Sequence, residues 1–314
     1  MEANSYIPRE KGVDHTLTLL SEGYQFIPNR CRRYDSDIFE TRLMGQKVIC
    51  MSGKEAAEVF YDNERFKRKG AAPKRVQKTL FGKNGVQTMD GPAHKHRKEL
   101  FMSLMTPDRL EKLNDFTIQQ WNVAIDKWGK MDQVVLMDEA REIMLRVACQ
   151  WAGVKLWARE LKLRTNDLGA MVDAFGAVGP RFWQGRQARI RTESWIRNMI
   201  RQVRNGELHP PNDTPLYAIA WHKDLNNQLL STKMAAVELI NILRPIVAIA
   251  RYVTFGALAM LEHPICRVKL QSAKKDYSKM FVQETRRYYP FGPFVGARVR
   301  KTLHGIHTIF RRGF

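Results

Sequence analysis

The stretch MAAVELINILRPIVAIARYVTFGALAML, residues 234–261, decides the fold of this sequence. It is nearly apolar and long enough for a helix of about seven turns. Glu238, Arg244, Pro245 and Arg251 interrupt it, so it contains no run of 18 uncharged apolar residues. This pattern predicts a buried helix at the centre of a helical domain and no membrane span.

The remainder of the chain is also dominated by helical periodicity. Helices are predicted over residues 14–31, 92–105, 107–128, 134–151, 157–175, 188–203 and 277–289. Residues 37–43 and 47–51 alternate around Met44-Gly45-Gln46, a pattern typical of a β-hairpin. We therefore predict a mainly α fold with a small N-terminal β-sheet.

Composition places the protein among globular, reduced proteins. The 314 residues are 44% hydrophobic, which is enough for a sizeable core. The first residues, MEANSYIPREKG, are charged and lack the apolar core of a secretory signal. The four cysteines are widely scattered, without metal-binding spacing. A cytoplasmic location is expected.

The net charge of +20 favours an anionic partner. The densest basic run is RFKRKGAAPKRVQK, residues 65–78. Such a run is usually a solvated face, and no zinc finger, aromatic RNA-binding signature or helix-turn-helix accompanies it. A non-enzymatic basic module that binds nucleic acid or acidic lipid is the alternative function.

Arg244 and Pro245 are two costly residues at adjacent positions of the apolar helix. Pro245 removes the hydrogen bond to the carbonyl of Asn241 and costs about 3 kcal/mol in a helix interior. Burying Arg244 unpaired would cost several kcal/mol more. The pair predicts either a kink beside a cavity that receives an anion, or a structural ion pair between Arg244 and an acidic residue elsewhere.

Two further charged pairs have helical spacing. Glu284 and Arg287 lie three residues apart, as in an ordinary surface ion pair. His94 and Lys98 lie four apart, so both face one side of a helix and suit acidic groups, although a plain surface helix has the same pattern. A metal site at His94 and His96 is less favoured, because side chains two apart on a helix diverge.

Together these features resemble the cytochrome P450 superfamily of haem-thiolate proteins. The resemblance rests on E-x-x-R followed by aromatics and proline in QETRRYYPFGPF, an upstream H-x-x-x-K helix, and the long helix between them. In ordinary members that helix carries an acid–alcohol pair that delivers protons, whereas Arg244-Pro245 stands in its place here. This replacement is similar to the bacterial fatty-acid peroxygenase branch. Residues 14–300 share its segments LTLLSEGYQFI, AAEVFYD, PKRVQKTLFG, MVDAFGAVGPR, ELINILRPIVAI and MFVQETRRYYPFGPFVGA.

The resemblance implies an activity. The branch hydroxylates long-chain fatty acids at the α or β carbon, uses hydrogen peroxide, and needs no redox partner. The substrate carboxylate serves as general acid–base in place of the missing acid–alcohol pair. Binding of nucleic acid is not part of this function.

The resemblance also implies roles for individual residues. Arg244 would bind the substrate carboxylate, and Pro245 would make room beside it. Phe81 would line the pocket. Gln87 matches a distal position where glutamine is associated with hydroxylation and histidine with decarboxylation.

Haem is the implied cofactor. His94 and Lys98 match positions that hold its propionates, and Glu284 and Arg287 match the pair that braces the haem-binding core. The family ligates iron through the cysteine of a G-H-x-C-x-G loop, in which none of the four cysteines lies.

The last residues differ from the resemblance. The sequence KTLHGIHTIFRRGF replaces the expected strand, and a shifted reading frame can encode family-like residues there. We therefore expect residues 1–300 to be a truncated haem-thiolate domain and residues 301–314 an out-of-frame tail that begins near Lys301. We expect such a chain to be poorly soluble or molten, to hold haem unproductively and to be inactive.

Overall fold

The computed structural model describes residues 7–272 and 275–300. The chain divides into two compact units, one drawn from residues 1–72 and 292–314 and the other from residues 73–291. Residues 301–314, the predicted out-of-frame tail, lie outside the described residues. The predicted boundary at residue 300 therefore stays a prediction.

The first unit contains the small sheet that the sequence predicts. Its elements are α1 (Thr16–Glu22), a 3-10 turn (Gly23–Gln25), α2 (Phe26–Tyr34), β1 (Ile38–Leu43), β2 (Gln46–Met51), α3 (Lys54–Phe60), β3 (Phe66–Lys67) and β4 (Arg298–Val299). Strands β1 and β2 are antiparallel, and so are β3 and β4. The short β3–β4 pair was not predicted, because two-residue strands leave no periodic signal.

The β1–β2 hairpin has a tighter turn than predicted. Leu43 pairs with Gln46, so the loop contains two residues, and Gln46 belongs to the second strand. Met44 and Gly45 have φ angles of 54° and 72°. Positive φ at both positions matches the twist of the flanking strands, and glycine adopts it without steric cost.

The second unit is helical. Its elements are α4 (Lys74–Val76), a π turn (Gln77–Phe81), a 3-10 turn (Val86–Thr88), α5 (Gly91–Ser103), α6 (Pro107–Trp128), α7 (Leu136–Ala152), a 3-10 turn (Ala158–Glu160), α8 (Leu161–Asp173), α9 (Pro180–Arg204), α10 (Pro215–Trp221), α11 (Thr232–Ala248), α12 (Ala250–Glu262), α13 (Pro264–Gln271) and α14 (Lys275–Tyr288). The mainly helical prediction is confirmed. Helix α9 begins earlier than predicted, because Pro180 fits the first helical turn.

Helix α11 is the centre of this unit. It packs against α7, α8 and α9. Its apolar residues are buried in the largest hydrophobic cluster of the described chain. The hydroxyl of Ser231 caps its first turn by accepting a hydrogen bond from the N–H of Met234 at 3.2 Å.

The predicted kink at Pro245 takes a different form. Helix α11 continues through Pro245, and its regular pattern is interrupted at Ile249, one turn later. There the N–H of Ile249 donates to the carbonyl oxygen of Ile246, three residues earlier, at 3.1 Å. This spacing is that of a tight 3-10 turn. Pro245 cannot donate a hydrogen bond to the carbonyl of Asn241, which precedes it in the helix. The irregular turn at Ile249, in contrast, follows the proline.

One stretch of the described chain, residues 232–262, is long and apolar enough to cross a membrane by length and composition. It corresponds to α11 and α12. Burial of α11 inside the helical unit accounts for the apolarity of its first half. The described structure thus uses α11 as a core helix.

Because α11 lies at the centre of the helical unit, truncating one of its buried side chains should lower the free energy of unfolding. Leu239→Ala, at a side chain that is 0% exposed, should lower the free energy of unfolding by about 2–5 kcal/mol, because it leaves a cavity. The matched change Leu261→Ala, at a side chain that is 78% exposed, should cost less than about 0.5 kcal/mol. Urea unfolding followed by circular dichroism checks both values, and equal losses would contradict the central role of α11.

Candidate functional site

Arg244 is a buried cation without a counter-ion of its own. It lies on α11, is 5% exposed and forms no ion pair among the described residues. Its Nε is buried and lacks a hydrogen-bond partner. Burial, together with the positive charge of Arg189, lowers the pKa of Arg244 to about 9. The predicted alternative of a structural ion pair is therefore not found in the described chain, and the surroundings favour an anionic ligand.

Arg189 is a second buried cation near Arg244, and sequence reasoning missed it. It lies on α9, is 2% exposed and donates from Nη1 to the carbonyl of Leu80 at 2.9 Å. Its Nε donates to Glu193 at 2.7 Å, while Nη2 is buried without a partner. Burial lowers its pKa. In sequence, Arg189 and Glu193 look like any surface pair at four-residue spacing, so only long-range packing reveals the site.

The buried charges of this region do not cancel. The guanidinium groups of Arg97, Arg189 and Arg244 all lie in the interior. They face two carboxylates: Glu238, which pairs with Arg97 at 2.7 Å, and Glu193, which pairs with Arg189. One positive charge is left over, and a single bound carboxylate would neutralise it.

The predicted pocket residues Phe81 and Gln87 are hydrogen-bonded to a side chain of α11. Asn241, one turn before Arg244, donates from Nδ2 to the carbonyl of Phe81 at 3.1 Å and to Oε1 of Gln87 at 3.2 Å. Asn241 thereby holds Phe81 and Gln87 against α11, and their role in a pocket with Arg244 stays a prediction.

An apolar wall continues from the cation. Leu80, Val172 and Ala248 form a buried cluster, against which Val76, Phe81, Phe175 and Phe291 pack. Ala248 lies one turn after Arg244 on α11, so the wall begins next to the guanidinium. Of these residues only Phe81 was predicted, because the others read as ordinary core positions in sequence.

Pro245 is exposed, as is Ile249 one turn later, while Arg244 beside it is buried. The two adjacent residues therefore differ in burial. Sequence alone could not separate them, because adjacency does not show which face is covered.

His94 and Lys98 lie on α5, four residues apart as predicted, with His94 half-buried and Lys98 exposed. His96 is engaged elsewhere, since its ring stacks on His222 with centroids 4.9 Å apart and its Nε2 lies 2.9 Å from the carbonyl of Lys223. No group of three or more metal-ligating side chains occurs among the described residues. A histidine and a lysine at these positions suit the carboxylates of a haem, and this role stays a prediction.

Glu284 and Arg287 form the predicted pair on α14. Nε of Arg287 donates to Oε2 of Glu284 at 2.7 Å, and both side chains are exposed. This hydrogen bond lowers the pKa of Glu284. The pairing is confirmed, while its role as a brace stays a prediction.

The cysteines do not fit a haem-thiolate ligand. Burial raises the pKa of both Cys50 and Cys149 to about 12, so both thiols stay protonated at neutral pH. Burial also raises the pKa of Cys31, and Cys266 is half-buried on α13. The described residues thus offer His94 and Lys98 for the propionates and an apolar surface beside Arg244, but no thiolate for iron.

The basic run of residues 65–78 is partly engaged within each unit. Arg65 pairs with Asp62 at 2.9 Å in the first unit. In the second unit, the guanidinium of Arg75 lies over the ring of Phe182, 4.5 Å from its centroid. These contacts do not favour the alternative function in nucleic-acid or lipid binding.

Comparison with solved structures identifies the fold. A variant of cytochrome P450SP alpha (CYP152B1) superposes with a TM-score of 0.89 at 44% identity, over 93% of this chain and 72% of that one. Cytochrome P450EX alpha (CYP152N1) with myristic acid gives a TM-score of 0.89 at 44% identity, over 96% and 72%. A variant of cytochrome P450 OleT with arachidonic acid gives a TM-score of 0.92 at 36% identity, over 96% and 73%.

Curated relatives agree at lower identity. Abietadienol/abietadienal oxidase of Pinus taeda is 26% identical over 228 residues, which is 69% of this chain and 44% of that protein. Cytochrome P450 85A1 of Oryza sativa subsp. japonica is 26% identical over 211 residues, or 62% and 43%. The chain therefore spans less than half the length of these relatives. No protein-family model matches it.

The helical unit and its buried cation thus lie within a cytochrome P450 fold, whose members carry haem. The chain belongs to the cytochrome P450 family, in its CYP152 branch. The predicted resemblance and fold class are confirmed.

The thiol environments predict which cysteines react. At pH 8 only about one in 10⁴ thiols with a pKa near 12 is ionised, so Cys50 and Cys149 should resist iodoacetamide in the folded chain. In urea, where burial is lost, all four should react. Mass mapping of labelled peptides measures this, and rapid labelling of Cys149 in the folded chain would contradict it.

Proposed function

We propose that this chain binds a long-chain fatty acid, with the carboxylate on Arg244 and the acyl chain along the apolar wall of Leu80, Val172 and Ala248. The observation that carries the proposal is the buried guanidinium of Arg244, which lacks a counter-ion in the described chain. A guanidinium presents a planar fork that matches a carboxylate. Two of the solved relatives are complexes with myristic and arachidonic acid, which agrees with this ligand class.

The position of the cation also bears on which carbon atoms of the fatty acid are held in place. The α and β carbons are the two carbons nearest the carboxylate, so anchoring the carboxylate fixes them whatever the chain length. The apolar wall would then act on the rest of the chain and select its length. Arg244 and Gln87 would hold the reacting end, and Pro245, which is exposed next to Arg244, would make room there.

We extend the proposal to the complete protein of this branch, as hydroxylation at the α or β carbon with hydrogen peroxide and without a redox partner. Haem supplies the oxidising chemistry when bound. The substrate carboxylate, held by Arg244, would serve as the acid–base group, since Asn241 and Gln87, the polar residues described beside Arg244, do not form a pair of a carboxylic acid and an alcohol. Gln87 supports hydroxylation over decarboxylation.

Removing the cation tests the binding proposal. Arg244→Gln should weaken binding of lauric acid by about 10- to 100-fold, because it removes a charge-assisted hydrogen-bond pair worth roughly 1.5–3 kcal/mol. Arg244→Lys should be intermediate, since it keeps the charge and loses the fork. Isothermal titration calorimetry with the 314-residue chain measures the dissociation constants.

Arg201 is exposed on α9 and is no part of the proposed site, so Arg201→Gln, which also removes one positive charge from the second unit, is the matched control. It should leave the dissociation constant within about twofold of the unchanged chain. Equal binding by the Arg244 and Arg201 variants would refute Arg244 as the carboxylate site.

Affinity should also fall at high pH. With a pKa of about 9, Arg244 of the ligand-free chain loses its charge as pH rises, while lauric acid stays ionised. The dissociation constant should be flat from pH 7 to about 8.5 and then rise by up to tenfold per pH unit. Calorimetric titrations between pH 7 and 10.5 measure this, with circular dichroism to verify folding. The weaker binding of Arg244→Gln should lack the rise, and a flat profile in the unchanged chain would contradict the assignment.

A further inference from the structure

Glu238 is a buried carboxylate at the head of a polar relay that ends in the proposed pocket. It lies on α11, six residues before Arg244, and is 0% exposed. Its Oε1 accepts from Nη1 of Arg97 at 2.7 Å and from the N–H of Val86 at 3.1 Å. Its Oε2 accepts from Nδ2 of Asn241 at 3.2 Å. Three donors converge on one carboxylate and hold it in place.

The relay continues through Asn241. Its Nδ2 faces the carboxylate of Glu238, the carbonyl of Phe81 and Oε1 of Gln87. Burial raises the pKa of Glu238, whereas its pairing with Arg97 favours the charged form. A charged carboxylate and a backbone carbonyl can only accept hydrogen bonds, and the two hydrogens of the NH2 group are shared among the three acceptors. The carboxamide of Asn241 must therefore point its NH2 group toward them, and one orientation of this side chain is selected.

That orientation in turn selects the orientation of Gln87. Because the NH2 group of Asn241 meets Oε1 of Gln87, the NH2 group of Gln87 is left to donate elsewhere. The junction is tightly packed at Gly85, where an added Cβ would lie 2.8 Å from the carbonyl oxygen of Phe81 and 2.9 Å from Nδ2 of Asn241. Little room remains for a rearranged network.

We propose that Glu238 is a positioning residue that, through Asn241, turns the donor side of Gln87 toward the fatty-acid head group, so that the pocket prefers a carboxylate over the corresponding amide. The inference rests on the proposed binding of fatty acids at Arg244. A head group between Arg244 and Gln87 then meets donors from both residues. A carboxylate can accept hydrogen bonds from all of these donors. An amide has only one oxygen, so its NH2 group would face one of the donors.

The test compares lauric acid with lauramide by competition against a fluorescent fatty acid bound to the 314-residue chain. Glu238→Gln preserves size and can present an NH2 group to Asn241, so that the carbonyl of Phe81 alone still selects the orientation of Asn241 and both downstream amides are held less firmly. The preference for lauric acid over lauramide should fall by about tenfold. Asp167→Asn is the matched control, because Asp167 is an equally buried carboxylate that pairs with Arg191 outside this relay. It should leave the preference within about twofold.

A double-mutant cycle separates positioning from a structural effect. In a Gln87→Leu background there is no amide to orient, so Glu238→Gln should change the acid-to-amide preference less than twofold. The same tenfold change in both backgrounds would overturn the inference. If Glu238→Gln does not fold, Asn241→Ala interrupts the relay while leaving the Arg97–Glu238 pair intact, and it should reproduce the loss of preference.

The outcomes distinguish this inference from the proposed function. If the unchanged chain does not bind lauric acid, or if Arg244→Gln binds it equally well, the proposed function fails and this inference fails with it. If binding depends on Arg244 but the preference is unaffected by Glu238→Gln and by Asn241→Ala, the positioning role of Glu238 alone is refuted.

Discussion

The constraint on which this structure depends is a guanidinium in the central helix that is buried without its own counter-ion among the described residues. Arg244 is buried on α11, which packs against α7 and α9. Such burial costs several kcal/mol unless charge or hydrogen bonds compensate. Glu193 and Glu238 offset two of the three nearby cations, so the region remains one negative charge short. Packing of α11 stabilises the fold and also keeps this imbalance away from water.

The same packing explains how a loop becomes part of the site. Residues 81–87 lie in short turns between α4 and α5, which by themselves would not fix a side chain. Asn241 and Glu238 bind this segment through the carbonyl of Phe81, the N–H of Val86 and the side chain of Gln87. A rigid helix thus imposes its geometry on the loop.

Sequence predicted the parts of the site that are written locally or carried by family resemblance. The Arg244-Pro245 pair stood out because both residues are costly inside an apolar helix, and the hairpin at β1–β2 followed from alternation alone. The relay could not be predicted, because Glu238 contacts Arg97 and Val86 across 141 and 152 residues. Arg189 was hidden for a different reason, since its local partner Glu193 gives the pattern of a solvated helix face. Burial, which distinguishes the two cases, is a property of packing.

Selectivity for an acid depends on the surroundings of Arg244 as well as on its charge. An exposed arginine gains little from a carboxylate, because water already solvates both groups. In this pocket burial and Arg189 lower the pKa of Arg244, so its charged form is held at a cost before any ligand arrives. A carboxylate removes that cost as it binds, whereas an alcohol or an amide leaves it in place. Preference for an anion is thus set by the surroundings of the guanidinium, and moving the same residue to the surface would abolish it.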